Sequence, residues 1–306
     1  MNDILAQSDF GDFVQTFQIE DLNIRGRLIR LDDAYNEAIK QHGYPPAIKH
    51  LIGETMVLTA ILASALKYDG VFTLQVQGDG PVSLVMADIT SDGGMRAYAK
   101  LREGVSGSDI IGGSIPQTLG AGRMAFTVDQ GPDTERYQGI TELTGATLAD
   151  CAHNYFRQSE QLETAIAITA SGGEEGTPVH AAGLMLQRLP ASKDGEQEEE
   201  NWRRAVVLMS SITSAELLDP TLSASQILYR LYHEDGVRLY VQRVLRHECR
   251  CSEERVSRTL RSFPRAEIDD MADDGLITVT CEFCRTDYVY DADRLDDLYT
   301  EAPPGT

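Results

Sequence analysis

Four of the five cysteines stand in one C-terminal stretch, as Cys249-Arg-Cys251 and Cys281-Glu-Phe-Cys284. A C-x-C and a C-x-x-C so placed can present four thiolates to one Zn²⁺, because structural zinc sites are tetrahedral and gather their ligands in close pairs. The same sulfurs without a metal are two vicinal dithiols. The spacing therefore points to a zinc clamp, a redox switch, or both in one place. A static clip commonly uses C-x-x-C at both ends. The C-x-C half differs, since a disulfide across it closes a very small ring, strained and readily reversed. His247, two residues before Cys249, is a substitute ligand that four cysteines make superfluous. Cys151, isolated in Ala149-Asp-Cys-Ala-His153, reads as a buried helix residue.

The elements that must position the four thiols form a miniature unit over 247–306. Ser252 can cap a helix with Glu253 and Glu254 in its first turn, and Val256, Leu260 and Phe263 form its apolar side. Pro264 ends that helix or starts the next turn, and Ile268 and Met271 supply more core. Gly275 closes the unit before a strand, Leu276 to Thr280, that delivers Cys281 and Cys284 at a knuckle-like turn. Tyr288 to Tyr290 is the returning strand and Asp291 caps a last helix. So small a core rarely folds without a staple.

Residues 1–190 read as a mixed α+β domain. Helices are expected at Asp32–Lys40 and Ala47–Leu66, the second with apolar residues near a 3.6-residue period. Strands are expected at Val71–Gln77, Val82–Ile89, Met95–Leu101, Met124–Gln130, Ala165–Ala170 and Ala181–Leu189. They come in runs separated by Gly and Asp turns, which favours an antiparallel meander with packed helices over a doubly wound sheet. The charged segment Pro190–Glu200 reads as an exposed loop or linker. Within 191–246, Trp202–Ile212 and Ser223–Tyr232 are short amphipathic helices divided at Pro220, and Val237–Leu245 reads as a strand leading to the first cysteines. Helices this short must borrow stability from docking, so the segment is a candidate for conditional order.

Composition narrows the function. The chain has 306 residues, 42% hydrophobic, and a formal net charge of −21. Such a surface repels phosphate backbones, which argues against nucleic-acid binding. The most apolar run, Met56–Leu66, is too short to span a bilayer, and no secretory leader is read at Met1–Ile4. A cytoplasmic protein without a membrane partner is expected, and in a reducing compartment clustered cysteines bind metal or do redox work. No G-x-x-x-x-G-K-[ST], H-E-x-x-H or G-x-S-x-G occurs, and Gly78-Asp-Gly80 is better read as a hairpin turn. No catalytic residues are assigned.

The residues resemble the 33-kDa heat-shock chaperone family, the bacterial redox-regulated holdases, over nearly the whole chain. In the tail the likeness rests on His247-Glu-Cys-Arg-Cys-Ser252 and on Ile277-Thr-Val-Thr-Cys-Glu-Phe-Cys284 with Tyr288. Upstream it rests on Arg25-Gly26, Tyr44-Pro45, Leu51-Ile-Gly-Glu54, Leu66-Lys67, Leu74-Gln-Val-Gln-Gly-Asp-Gly-Pro81, Tyr155-Phe156 and Ser159-Glu-Gln-Leu162. The Glu-rich insert before Asn201 looks longer than the family's. The resemblance implies a stress-response chaperone that works without ATP and binds unfolded client proteins. It implies one Zn²⁺ per chain on Cys249, Cys251, Cys281 and Cys284 in the reduced, inactive form. It also implies that oxidation forms the disulfides Cys249–Cys251 and Cys281–Cys284, releases the metal, melts the tail and linker, and gives an active homodimer. Client-binding surface is expected among apolar positions between Trp202 and Leu245. Two other readings compete: a thiol–disulfide oxidoreductase using Cys281 and Cys284, and a zinc-ribbon adaptor whose metal never leaves.

Overall fold

The computed structural model describes residues 11–107, 110, 112–131, 134–157, 163–173, 177–189 and 195–300. The chain divides into two compact units, Met1–Glu248 and Cys249–Thr306.

Two six-stranded sheets build the first unit. One contains β1 (Phe13–Ile19), β2 (Ile24–Leu31), β8 (Thr164–Ala170), β9 (Ala181–Arg188), β10 (Val237–Leu239) and β11 (Arg243–Val244). Its order is β10-β1-β2-β9-β8, with β11 also on β1, and every pairing is antiparallel. The other contains β3 (Val71–Gly78), β4 (Val82–Thr90), β5 (Gly94–Leu101), β6 (Gly122–Asp129), β7 (Tyr137–Glu142) and β12 (Arg246–His247). Its order is β12-β5-β4-β3-β6-β7, antiparallel except where β12 joins β5. The α+β class is as expected.

Helix α1 (Asp33–Ile39) precedes α2 (Pro46–Ala65), which packs against strands of both sheets. Being flanked on two sides, α2 buries residues all round, Ile48, Leu51, Ile52, Met56, Val57 and Ile61 among them. It is longer than its most apolar run, since Pro46 starts it ten residues before Met56. In length and hydropathy it could cross a membrane, yet 72% of its most apolar window is buried inside the unit. The short helix α3 (Ile115–Thr118) and α4 (Leu148–Tyr155), capped by Thr147, close the same core.

The opposite face of the first sheet is also covered. Phe13, Phe17, Ile19, Ile24, Leu28, Leu184 and Leu186 point there and pack with Ala205, Met209, Ile227, Leu228, Leu231 and Tyr232. The covering residues belong to α5 (Gly195–Ser210) and α7 (Ala224–Tyr232), with α6 (Ser214–Leu218) between them. Capping boxes at Thr213 and Ser223 start α6 and α7.

Several expectations need correction. Residues 190–194 and 159–162 lie outside the described residues, but Gly195–Glu200 is helix and not loop: glutamates are good helix formers and suit the positive end of the helix. The expected strand Val237–Leu245 is broken. Register against β1 runs Phe17↔Leu239 and then Phe13↔Val244, a slip of one residue that marks a bulge. In the second unit Phe263 and Met271 are exposed, 42% and 65%, instead of serving the core.

That second unit consists of α8 (Glu253–Leu260), α9 (Arg265–Asp270), the hairpin β13 (Ile277–Thr280) and β14 (Asp287–Tyr290), and α10 (Ala292–Thr300). Its core is thin: Leu260, Ile268, Ile277, Tyr290, Leu295 and Leu298.

Candidate metal centre

Each pair of thiols is placed by a different device. Strand β13 ends at Thr280, and the chain turns so that Cys281 N–H donates to Thr286 O at 2.9 Å and Arg285 N–H donates to Cys281 O at 2.9 Å. Arg285 takes the left-handed conformation, φ +59°, that closes the knuckle and that glycine adopts at least cost. The turn aims main-chain amides at sulfur: Cys281 Sγ accepts from Phe283 and Cys284, and Cys284 Sγ accepts from Thr286. The other pair lies just ahead of α8, where the Ser252 hydroxyl accepts from Arg255 N–H at 3.3 Å and fixes the start of the helix.

All four Sγ atoms lie within 4.8 Å of one another. Cys249 and Cys281 approach to 3.7 Å, and Cys251 and Cys284 to 3.4 Å. A Zn–S bond of about 2.3 Å in a tetrahedron requires sulfurs about 3.8 Å apart, so the spacing fits a zinc ion at the centre. The donor set, four soft thiolates with amides turned toward them, fits the same ion. His247 instead sits in β12, paired with Met95.

The thiols are not equivalent. Burial pushes the Cys251 thiol up to about 12, opposed by the Tyr288 hydroxyl, which donates to its sulfur at 3.2 Å. Burial also raises Cys281. At Cys284 burial acts upward too, but bonds from the Thr286 hydroxyl (3.2 Å) and amide and from the neighbouring thiols outweigh it and hold the group near 6. Hydrogen bonding thus favours the thiolate at Cys284, where burial disfavours it at Cys251 and Cys281. The fifth cysteine, Cys151, is fully buried in α4 in the core of the first unit, and burial raises its thiol.

The structure brings together the four thiols that the spacing singles out. What that spacing does not reveal is the supporting layer, Tyr288 and Thr286, whose side chains become meaningful only once the hairpin folds.

The family model described as Hsp33 protein matches residues 12–291. A 33 kDa chaperonin of Caulobacter vibrioides is 38% identical over 286 residues, covering 92% of this chain and 95% of the relative. The 33 kDa chaperonin of Azotobacter vinelandii is 37% identical over 303 residues, covering 97% of each. Among solved structures, the heat shock protein 33 homologue of Thermotoga maritima superposes with a TM-score of 0.79 at 21% identity, covering 94% of this chain and 97% of that one, which shows a shared fold. On the family match and the long relatives together, the chain belongs to the Hsp33 protein family.

Proposed function

We propose that this protein is a redox-gated, ATP-independent holdase that binds unfolding client proteins in the cytoplasm. The observation that carries the reading is the cluster of four sulfurs within 4.8 Å in a unit whose buried core, among the described residues, is six side chains. Bound Zn²⁺ would supply the crosslink that so thin a core lacks, roughly 10–16 kcal/mol in small zinc modules against a whole-domain stability of about 5–15 kcal/mol.

Oxidation removes the donors. Each pair of thiols gives up two electrons and two protons to one peroxide, which is reduced to two waters, and one S–S bond forms. Two peroxides convert all four thiols, and disulfide sulfurs no longer hold a metal. The pairing Cys249–Cys251 and Cys281–Cys284 follows from the family likeness; in the reduced fold Cys249 also approaches Cys281 to 3.7 Å and Cys251 approaches Cys284 to 3.4 Å. Residues 195–248 lead directly into Cys249, so loss of order in the tail reaches the helices that cover the first sheet. Their departure exposes the apolar face around Phe17 and Leu28 for clients. The active form is a homodimer in this reading, and the chain has no enzymatic turnover.

Peptide mapping by mass spectrometry after warm peroxide, with metal release followed in parallel, tests the switch. The expected result is two intra-pair disulfides and one equivalent of zinc per chain. Zinc retained with all thiols reduced would favour the static adaptor. Catalytic insulin reduction dependent on Cys281 and Cys284 would favour the oxidoreductase.

A further inference from the structure

The outer edge of β1 is occupied by the chain's own segment 235–245, and the manner of its attachment says what else would fit there. Main-chain bonds run the length of the edge: Glu20 N–H to Gly236 O at 2.9 Å, Tyr240 N–H to Thr16 O at 3.0 Å and Leu245 N–H to Asp12 O at 2.8 Å. The Gln15 amide adds a bond to Tyr240 O at 2.6 Å. Side-chain contacts are fewer: Val237 and Leu239 pack partly against the covered face, Arg238 pairs with Glu20 at 3.1 Å and the Tyr240 hydroxyl donates to Gln18 at 2.9 Å. From Gly236 to Val244 no residue is fully buried, Val241 is 91% exposed and Val244 72%. The strands are only three and two residues long and are offset by the bulge. An edge filled mainly through backbone is indifferent to the occupant's sequence. A covering so short is drawn from the low-stability end of the fold.

We infer that the β1 edge, once segment 235–248 detaches, captures clients by strand addition, with an extended stretch of unfolded polypeptide replacing the chain's own segment. The inference rests on the holdase reading and specifies its site. Beside that edge, Phe13, Phe17 and Ile19 of the same strand lose the cover of α5 and α7, so backbone pairing and apolar contact open together. Exposed strand edges are otherwise hazards that folded proteins keep covered. Here the covering segment acts as a tethered stand-in for the client. Unfolded chains share little beyond an unpaired backbone and apolar side chains, and this strand offers both complements.

A synthetic peptide of residues 235–248 tests the idea on the full-length chain, oxidised and metal-free. Amide N–H groups of an antiparallel partner alternate in direction, and that of Tyr240 points at β1, so those of Arg238 and Tyr240 face the edge while those of Val237 and Leu239 face away. Binding is read by fluorescence anisotropy, and competition by client aggregation. N-methylation at Arg238 and Tyr240 should weaken binding and competition at least about tenfold, since two main-chain bonds are lost; N-methylation at Val237 and Leu239 should not. Equal binding by both peptides overturns strand addition while leaving a holdase that works through apolar contact alone. Amide-patterned binding by a chain that protects no client upholds the open edge and refutes the holdase reading. Peptide binding that is lost as the chain's own concentration rises assigns the edge to a second copy and overturns the client assignment.

Discussion

Arg30 fastens the covering helices to the first sheet, and its replacement by methionine should loosen them measurably. The side chain is fully buried on the covered face of β2 and donates to three main-chain carbonyls in the α6–α7 region: Leu222 at 2.5 Å, Leu217 at 3.2 Å and Asp219 at 3.3 Å. Burial lowers its pKa to about 10, partly offset by Asp219, so the guanidinium stays charged at neutral pH. Bonds from a charged donor contribute about 1.5–3 kcal/mol each. Desolvating the guanidinium costs several kcal/mol in return, which leaves a net latch of about 2–3 kcal/mol. Arg30→Met keeps the bulk, removes the donors and should raise the detached fraction about 30- to 150-fold. Hydrogen exchange of the reduced protein reads this directly. Amides of 214–232 should exchange faster by that factor, while those of β3, β4 and β6 should not change. Uniform acceleration across both sheets would mean that Arg30 supports the global fold and not the cover. No acceleration would mean that the apolar contacts alone hold the helices.

Other consequences are more local. A Cβ at Gly26 would lie 2.0 Å from Phe17 Cζ, and the Phe17 ring stacks on Tyr232 of α7 with centroids 6.3 Å apart. Gly26→Ala should therefore cost about 1–3 kcal/mol by overpacking and displace Tyr232, read as a lower Tm and a changed near-UV dichroism. Changes beyond the ligands of a metal already cost about 10–100-fold in affinity, so Cys281→Ser should cost more, measured by chelator competition, and should unprotect 253–300 and the covering helices of 195–232 while leaving β3, β4 and β6 protected. His50 meets acceptors at both ring nitrogens, Ala170 O at 2.6 Å from Nδ1 and Glu54 Oε1 at 3.3 Å from Nε2. The Glu54 bond raises its pKa above 6.5 despite burial. The sign follows: this stabilisation is complete below pH 6.5 and is lost as pH rises through the raised value. Urea denaturation between pH 5.5 and 8.5 should show the fall, and His50→Asn should flatten it.

The four thiols were legible because their chemistry is carried by residue type and spacing, which survive without knowledge of the fold. Strands β1 and β2 of the first sheet were not. Strand β2, Ile-Arg-Gly-Arg-Leu-Ile-Arg-Leu, carries three arginines and a glycine, a composition that suggests exposure. Arg27 and Arg30 are nevertheless buried, and Arg30 finds its carbonyl partners almost two hundred residues away in sequence. Strand β1 is covered on both faces, so the polar-apolar alternation that marks a half-exposed strand is blurred by Gln15, which is buried to bond Tyr240 O. The tail helices α8 and α10 were readable from Ser252 and Asp291, since a capping bond is local: Asp291 accepts from Arg294 N–H at 2.9 Å. Phe263 and Met271 misled because apolar periodicity in so small a unit exceeds the core available to bury it.

The central claim is that oxidation of the thiol cluster uncovers a surface for unfolding proteins. Light scattering of a heat-denaturing client, with the chain added either reduced and zinc-loaded or pretreated with warm peroxide, tests it most directly. Suppression of scattering by the oxidised chain alone is the predicted result. Equal suppression by both forms, or by neither, would contradict the account.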